Sequence, residues 1–429
     1  MAELSVGTQV RLHNGTTCKI KKELGRGGQG IVYLVDYNGK DYALKWYTMT
    51  CSEAFYQNLE RNAKNGAPSA NFLWPEAVTE HQNGSWGYLM KLRPQGYEEI
   101  GQFMLAKARF HDVNCLLKAC LQICTAFQLL HIRGLSYQDM NDGNFFINPK
   151  TGDVLICDND NVAPNGVNMG IAGKSGYMAP EIVEKEKMPN LYTDYFSLSV
   201  ILFILFYLNR PFEGARALSC PCMTEGIDKK LNGKSAVFIL DPADDSNRPV
   251  RGVHTNVLRR WPLFPKQLRE AFVATFSKEA ILTPEKRIMD RNWQNILVQV
   301  RSLYVKCPVC GKYTFVDTDN ASSMCLECGK AIAKPCMLKA GRYLIPMVPE
   351  QKVYMCQVSY ENDYDKVVGE VVRNSKDPNR WGIRNLSGQQ WSVTTTTGEV
   401  KIVDNGGVMP IIPGLKIRFT KDVTGELMK

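Results

Sequence analysis

The stretch YQDMNDGNFF, Tyr137 to Phe146, sets Asp139 and Asn144 five residues apart in a polar loop that leads into an apolar strand. A carboxylate and a carboxamide so spaced can orient a hydroxyl and hold a hard cation, two requirements of phosphate transfer. Asp158, in LICDNDN, closes an apolar run 14 residues after Asn144. Upstream, LGRGGQGIVYLV spaces Gly25, Gly27 and Gly30 ahead of Val32 as G-x-G-x-x-G-x-V, with Gly28 inside the pattern. Backbone without Cβ atoms can approach phosphate oxygens and aim N–H groups at them, although a tight hairpin uses the same glycines. Lys45 lies 13 residues after Val32 in YALKWY, and a lysine inside an apolar strand is costly unless it meets an anion.

A second set of residues suits metal binding. Cys307, Cys310, Cys325 and Cys328 form C-x2-C, a 14-residue gap and C-x2-C, with a glycine after each pair. Four thiolates favour tetrahedral Zn²⁺ in a closed structural site with no position left for a catalytic water, and iron would accept the same ligands. Cys220 and Cys222 form half such a site with no second pair nearby and read as ordinary thiols, and Cys336 is spare. Most of the other cysteines stand singly in apolar stretches such as CLLKACLQICTAF, as small buried hydrophobes in a reducing compartment.

These groups need elements to position them. The 429 residues are 44% hydrophobic and 22% charged, the composition of a folded chain of two or three domains. Short alternating strands with Gly turns give way to longer helical patterns, so residues 1–300 read as a β-rich lobe to about 92 and a helical lobe over 93–300. One helix is expected from Cys51 to Lys64, stopped by Gly66 and Pro68, and another from Val113 to His131. Residues 305–334 read as a zinc ribbon, and residues 350–429 carry alternation at Leu415, Ile417 and Phe419 that suits a small β sandwich or barrel. YFSLSVILFILFYL spans 14 residues, short of the ~20 a bilayer needs, and reads as a buried core helix, so no membrane is expected. The N-terminus lacks a secretory pattern, which points to the cytoplasm. The net charge of +9 is spread without a dense basic run and suits a solvated surface better than a nucleic-acid partner.

Taken in order, the glycine loop, Lys45, Asp139 with Asn144, and GYMAPE at Ala179 to Glu181 resemble eukaryotic-like (bacterial) Ser/Thr protein kinases over about 290 residues. The resemblance implies an α+β, bilobal fold and phosphoryl transfer from ATP to Ser or Thr hydroxyls of protein substrates. Gly25, Gly27, Gly28, Gly30, Val32, Ala43, Lys45, Met90 and Leu92 would contact the nucleotide. Lys45 would hold the α- and β-phosphates, with Glu60 as its helix partner and Glu53 as the alternative. Asp139 would accept the hydroxyl proton, and Asn144 and Asp158 would bind Mg²⁺ or Mn²⁺. Asp194 would brace the catalytic loop and Arg287 would pair with Glu181.

Departures from the pattern are equally specific. Tyr137-Gln138 stands where His-Arg is usual, so no arginine clamps a phosphorylated activation segment. Asn141 replaces a lysine that steadies the transferring phosphate, and Asn159-Asp160 replaces Phe-Gly, which puts a third carboxylate near the metal. A nucleotide-binding pseudokinase scaffold and a small-molecule kinase are the alternative readings. The last 60 residues or so loosely resemble a forkhead-associated domain, on Gly369, Asn385-Leu386-Ser387 and IIPGLKIRF, with Glu370 after the glycine and no histidine beyond His254. Partner docking by the ribbon and the β module, with phosphosignalling or stress-response proteins as partners, is what this architecture implies. Thr394 to Thr397 read as an edge strand and, secondarily, as autophosphorylation targets.

Overall fold

In the computed structural model, residues 3–82, 84–170, 173–377 and 379–429 are described. Alternation builds the first sheet. β1 (Gln9–Arg11), β2 (Thr17–Arg26), β3 (Gly30–Tyr37), β4 (Lys40–Tyr47), β5 (Pro75–Val78) and β6 (Gly87–Lys91) pair antiparallel in the order β1-β2-β3-β4-β6-β5. Val32 lies opposite Lys45, Lys45 opposite Tyr88 and Ala43 opposite Met90. Because side chains alternate along strands and paired residues share a face, Val32, Ala43, Lys45, Tyr47, Tyr88 and Met90 line one side of the sheet. The other side carries Ile31, Tyr33, Leu44 and Trp46 in a separate core.

Helix α1 (Glu53–Asn65) packs on the Lys45 side. The Ser52 hydroxyl caps it by accepting from the Phe55 amide, and Gly66, at φ 71°, ends it as expected. Its buried residues, Phe55, Tyr56, Asn58, Leu59 and Asn62, follow the 3.6-residue period of one face. Val32, Ala43, Met90 and Leu92 join Phe55, Tyr56 and Leu59 in one cluster.

The helical lobe is organised by α2 (Val113–Ile132) and α3 (Leu191–Tyr207). Among the described residues α2 is long and apolar enough to cross a bilayer, and 56% of its apolar window is buried within the fold. From Thr193 to Tyr207 every residue of α3 is buried, the signature of a helix enclosed on all sides. Glu181 and Arg287 form a buried fork, with Nη1–Oε1 at 2.8 Å and Nη2–Oε2 at 2.7 Å. Paired in this way neither charge is left bare, a condition that burial imposes.

The chain divides into two compact units, one running to Val257 and resuming over Val273–Arg291, the other comprising Leu258–Phe272 and Asn292–Lys429. The last of these divisions falls inside the helix Asp290–Ser302, and the cysteine segment and the last strands share one unit. The reason is packing. Trp293 lies 4.8 Å from the Phe272 ring, Gln299 exchanges two 2.9 Å hydrogen bonds with the Leu344 backbone, and Gln357 donates to the Ser302 hydroxyl.

In that unit two hairpins, Tyr304–Lys306 with Tyr313–Phe315 and Ser322–Met324 with Ala331–Ala333, carry the four cysteines at their ends. Beyond them lie a six-stranded and a four-stranded antiparallel sheet. Trp391 of the larger sheet packs against Gly369 of the smaller, where a Cβ would stand 3.1 Å from its ring, and Leu415, Ile417 and Phe419 are buried. Gly369 thus serves packing between sheets. Thr394 ends the strand Trp391–Thr394 opposite Val400, and Thr395 to Thr397 lie in the turn between them.

Two glycines of the G-x-G-x-x-G stretch differ in kind. A Cβ at Gly30 would stand 2.2 Å from the Trp46 carbonyl oxygen, whereas one at Gly28 meets nothing within 4 Å. Gly30→Ala is expected to cost about 1–3 kcal/mol through this overpacking, and Gly28→Ala only a few tenths; thermal denaturation of the two variants checks the contrast.

Candidate active site

The hairpin joining β2 and β3 is closed by a 2.9 Å bond from the Gly27 amide to the Gly30 carbonyl. Positions for a Cβ on Gly25, Gly27 and Gly28 are open, so the loop leaves the clearance that close phosphate approach needs. Beneath it Lys45 is 6% exposed. It donates to Asp160 Oδ2 at 2.8 Å and Gln29 Oε1 at 3.1 Å, and it pairs with Asp158 Oδ1 at 3.5 Å. Burial works against its charge, and Asp160 followed by Asp158 outweighs that, holding the ammonium above its ordinary pKa.

Glu60, expected to pair with Lys45, does not. It is half exposed and bonds His13 Nδ1 at 2.8 Å. The face of α1 that meets the sheet is set by Phe55, Asn58, Leu59 and Asn62, and at 100° per residue Glu60 falls to one side of it. Glu53 lies in the first turn of α1, where its carboxylate accepts from Gln57. The carboxylate Lys45 does meet, Asp160, is also bonded by the Tyr47 hydroxyl at 2.5 Å. Tyr47 was not singled out in the sequence; its place one alternation beyond Lys45 in β4 is the signal that could have found it.

The catalytic-loop candidates converge on Asp139. Asn141 Nδ2 donates to one carboxylate oxygen at 3.2 Å and Asn161 Nδ2 to the other at 3.4 Å, while Asn144 Nδ2 donates to the Asp139 carbonyl at 2.8 Å. That last bond uses the amide nitrogen and leaves the Asn144 oxygen as a hard ligand. Asn161 is a second residue the sequence reading missed. Asp158 adopts the left-handed conformation, φ 51° and ψ 46°, which begins the turn carrying Asn159 to Asn161 into the interior. Burial raises the Asp158 carboxyl pKa, Lys45 relieves it, and Asp160 and Asp139 raise it further. Asp139, Asp158 and Asp160 around one ammonium leave an excess of negative charge, and a divalent cation on Asp158 and Asn144 oxygens would offset it.

Gln138 holds a left-handed φ of 73°, a conformation that costs a non-glycine residue roughly 1–2 kcal/mol. Asp194 offsets this: it accepts from the Tyr137 amide at 2.7 Å and the Gln138 amide at 3.3 Å. The Gln138 side chain, where an arginine would face a phosphate, donates instead to the Val167 carbonyl at 2.6 Å. A neutral amide thus ties the loop to the following segment. Lys174 of that segment is ion-paired to Asp142 of the Asp139 loop. Asp194 in turn meets His131 Nε2 at 3.1 Å, and His131 Nδ1 meets Asp290 at 2.8 Å.

In the second unit, the sulfurs of Cys307, Cys310, Cys325 and Cys328 all lie within 4.8 Å of one another. Cys307 and Cys328 are 4.0 Å apart and Cys310 and Cys325 3.7 Å. The two knuckles match, with Gly311 at φ 69° donating to the Cys307 carbonyl and Gly329 at φ 65° donating to that of Cys325.

Comparison with known proteins places the first unit. Residues 94–234 match the family described as "Protein kinase domain". Protein kinase YegI of Escherichia coli is 23% identical over 334 residues, 73% of this chain and 49% of the relative. Probable serine/threonine-protein kinase C70.05c of Schizosaccharomyces pombe is 28% identical over 139 residues, 30% of this chain and 16% of the relative. The ovarian-specific serine/threonine-protein kinase Lok of Drosophila melanogaster is 25% identical over 223 residues, 46% of this chain and 44% of the relative. The chain thus spans from about a sixth to about half of the length of these relatives. Among solved structures, the kinase domain of PknI from Mycobacterium tuberculosis aligns with a TM-score of 0.46 at 16% identity, over 69% of this chain and 98% of that one. The two-lobed α+β fold is the protein-kinase fold, followed by C-terminal β strands.

The Asp194–His131–Asp290 bridge predicts a pH dependence. Burial alone would lower the His131 pKa, but the two carboxylates prevail and raise it from 6.5 to about 9. The imidazolium therefore stabilises the fold fully below pH 6.5, and the contribution fades as pH rises through about 9, a loss on the order of 3 kcal/mol. Urea unfolding at both ends of that range should show this loss in the wild type and a flatter response in His131→Gln.

Proposed function

We propose that the first unit transfers the γ-phosphoryl group of ATP to Ser or Thr hydroxyls of protein substrates. The observation that carries the reading is the Asp139 carboxylate, oriented by Asn141 and Asn161 and joined through its own carbonyl to Asn144. A base held by amides, with no cation bonded to it among the described residues, stays available to accept a hydroxyl proton. Gly25, Gly27 and Gly28 would cover the phosphates, Lys45 would meet them, and Val32, Ala43, Met90 and Leu92 would bound the base-binding side. Asn144 and Asp158 would hold Mg²⁺ or Mn²⁺, which when bound neutralises charge on the phosphates. Gln138 on the Val167 carbonyl supports a non-RD kinase whose loop does not depend on segment phosphorylation.

We further assign Zn²⁺ to the cysteine quartet. A tetrahedron of sulfurs ~2.3 Å from zinc has edges of ~3.8 Å, which the 3.7 and 4.0 Å separations match. The ribbon and β module would dock partners or substrates, among them phosphosignalling or stress-response proteins. None of the fourteen cysteines is in a disulfide, which supports a reducing compartment such as the cytoplasm.

Two measurements test these assignments. Purified protein incubated with labelled ATP and Mg²⁺ should label itself or an added protein acceptor, and Asp139→Asn should reduce the rate at least about a hundredfold; Mg·ATP binding with no transfer to any acceptor would instead favour the scaffold reading. Elemental analysis should find one zinc per chain, lost in Cys325→Ser together with folding of the second unit, because metal binding by such a site contributes to folding.

A further inference from the structure

Lys45 has three donor hydrogens and three acceptors, Asp160, Gln29 and Asp158. Two of these are committed elsewhere in the proposed reaction. Asp158 would turn to the metal, and Gln29 belongs to the glycine loop that must close over phosphates. Asp160 has no such second duty on its Lys45-facing oxygen. Its side chain is wholly buried, and Oδ2 receives both Lys45 and the Tyr47 hydroxyl. Tyr47 is itself fixed in an aromatic group, with the Trp86 ring at 4.6 Å and the Phe55 ring at 5.5 Å. Burial and Asp160 both push its hydroxyl pKa well up, so it remains a donor.

Helix α1 offers no competing carboxylate. Glu60 is taken by His13 and Glu53 by Gln57. What α1 presents inward are two amides, Asn58 and Asn62, each donating to the Val162 carbonyl at 2.8 Å. The helix is therefore latched to the same short segment that supplies Asp160, two residues earlier in sequence.

From this geometry we propose that Asp160 is the positioning residue for Lys45, doing from the metal-binding loop what a helix glutamate would otherwise do, with Tyr47 fixing its carboxylate. The proposal rests on the kinase reading above. Its consequence is regulatory: alignment of the phosphate-binding lysine needs no ion pair from α1, so it is complete once the Asp158 to Val162 segment is folded. The helix follows through neutral amides.

Two experiments on the full chain test it. In a crystal structure with Mg²⁺ and a non-hydrolysable ATP analogue, Lys45 Nζ should stay within hydrogen-bond distance of Asp160 while meeting phosphate oxygens; transfer of Lys45 to Glu60 or Glu53 would overturn the proposal. In steady-state phosphorylation, Asp160→Asn, nearly isosteric and checked for folding by thermal melting, should lower kcat/KM about a hundredfold, mostly through kcat. Tyr47→Phe should lose less, and Glu60→Gln should stay within about twofold of wild type. Wild-type rates in folded Asp160→Asn, or an equal loss in Glu60→Gln, would overturn the assignment. A wild type that transfers no phosphate yet retains the Lys45–Asp160 pair with nucleotide bound would sink the kinase reading and leave the anchor standing.

Discussion

A buried ammonium group is the constraint around which the first unit is arranged. Lys45 sits in an apolar strand where an unpaired charge would not be tolerated, and the chain answers with carboxylates from one short turn. Meeting that demand requires Asp158 to take a left-handed backbone and the next three residues to be buried. Those residues then reach outward. Asn161 touches the Asp139 carboxylate, Asn159 donates to the Leu73 and Ile156 carbonyls, and Val162 receives α1. One electrostatic requirement thus links the β-rich lobe, the helix and the loop that carries Asp139.

The second recurring device is the neutral amide in a place where a charge would be expected. Gln138 bonds the Val167 carbonyl and Asn141 bonds Asp139 at positions where the family resemblance leads one to expect Arg and Lys, and Asn58 and Asn62 hold α1. Amide bonds do not titrate and are little affected by salt, so contacts of this kind do not depend on pH or ionic strength. Ion pairs buried on both sides occur at Lys45, at the Arg287–Glu181 fork and at the His131 bridge behind Asp194.

Much of this was legible before any coordinates. Val32, Ala43, Lys45 and Met90 were named from the family resemblance, and the strand register brings them to one face of the first sheet. Gly66 marked the end of α1, the all-round apolar run marked α3 as enclosed, and the C-x2-C pairs announced a cluster because each pair needs only its own knuckle. Such features are local. They depend on a few neighbouring residues and on burial, both of which leave a mark in the sequence.

The partner of Lys45 was not legible. Glu60 and Asp160 are both acidic residues at plausible distances along the chain, and nothing in their spacing separates them. The phase of α1 on the sheet turned Glu60 toward His13, and the left-handed turn at Asp158 turned Asp160 inward beneath Lys45. Likewise, the unit boundary inside the helix Asp290–Ser302 followed from contacts to Phe272 and Leu344, distant in sequence. The sequence by itself determined which chemical groups are present and on which strand, helix or knuckle each rides, because those are properties of short segments. Which charge meets which was decided only by tertiary structure, because helix phase and loop conformation are set by packing between segments far apart in the chain.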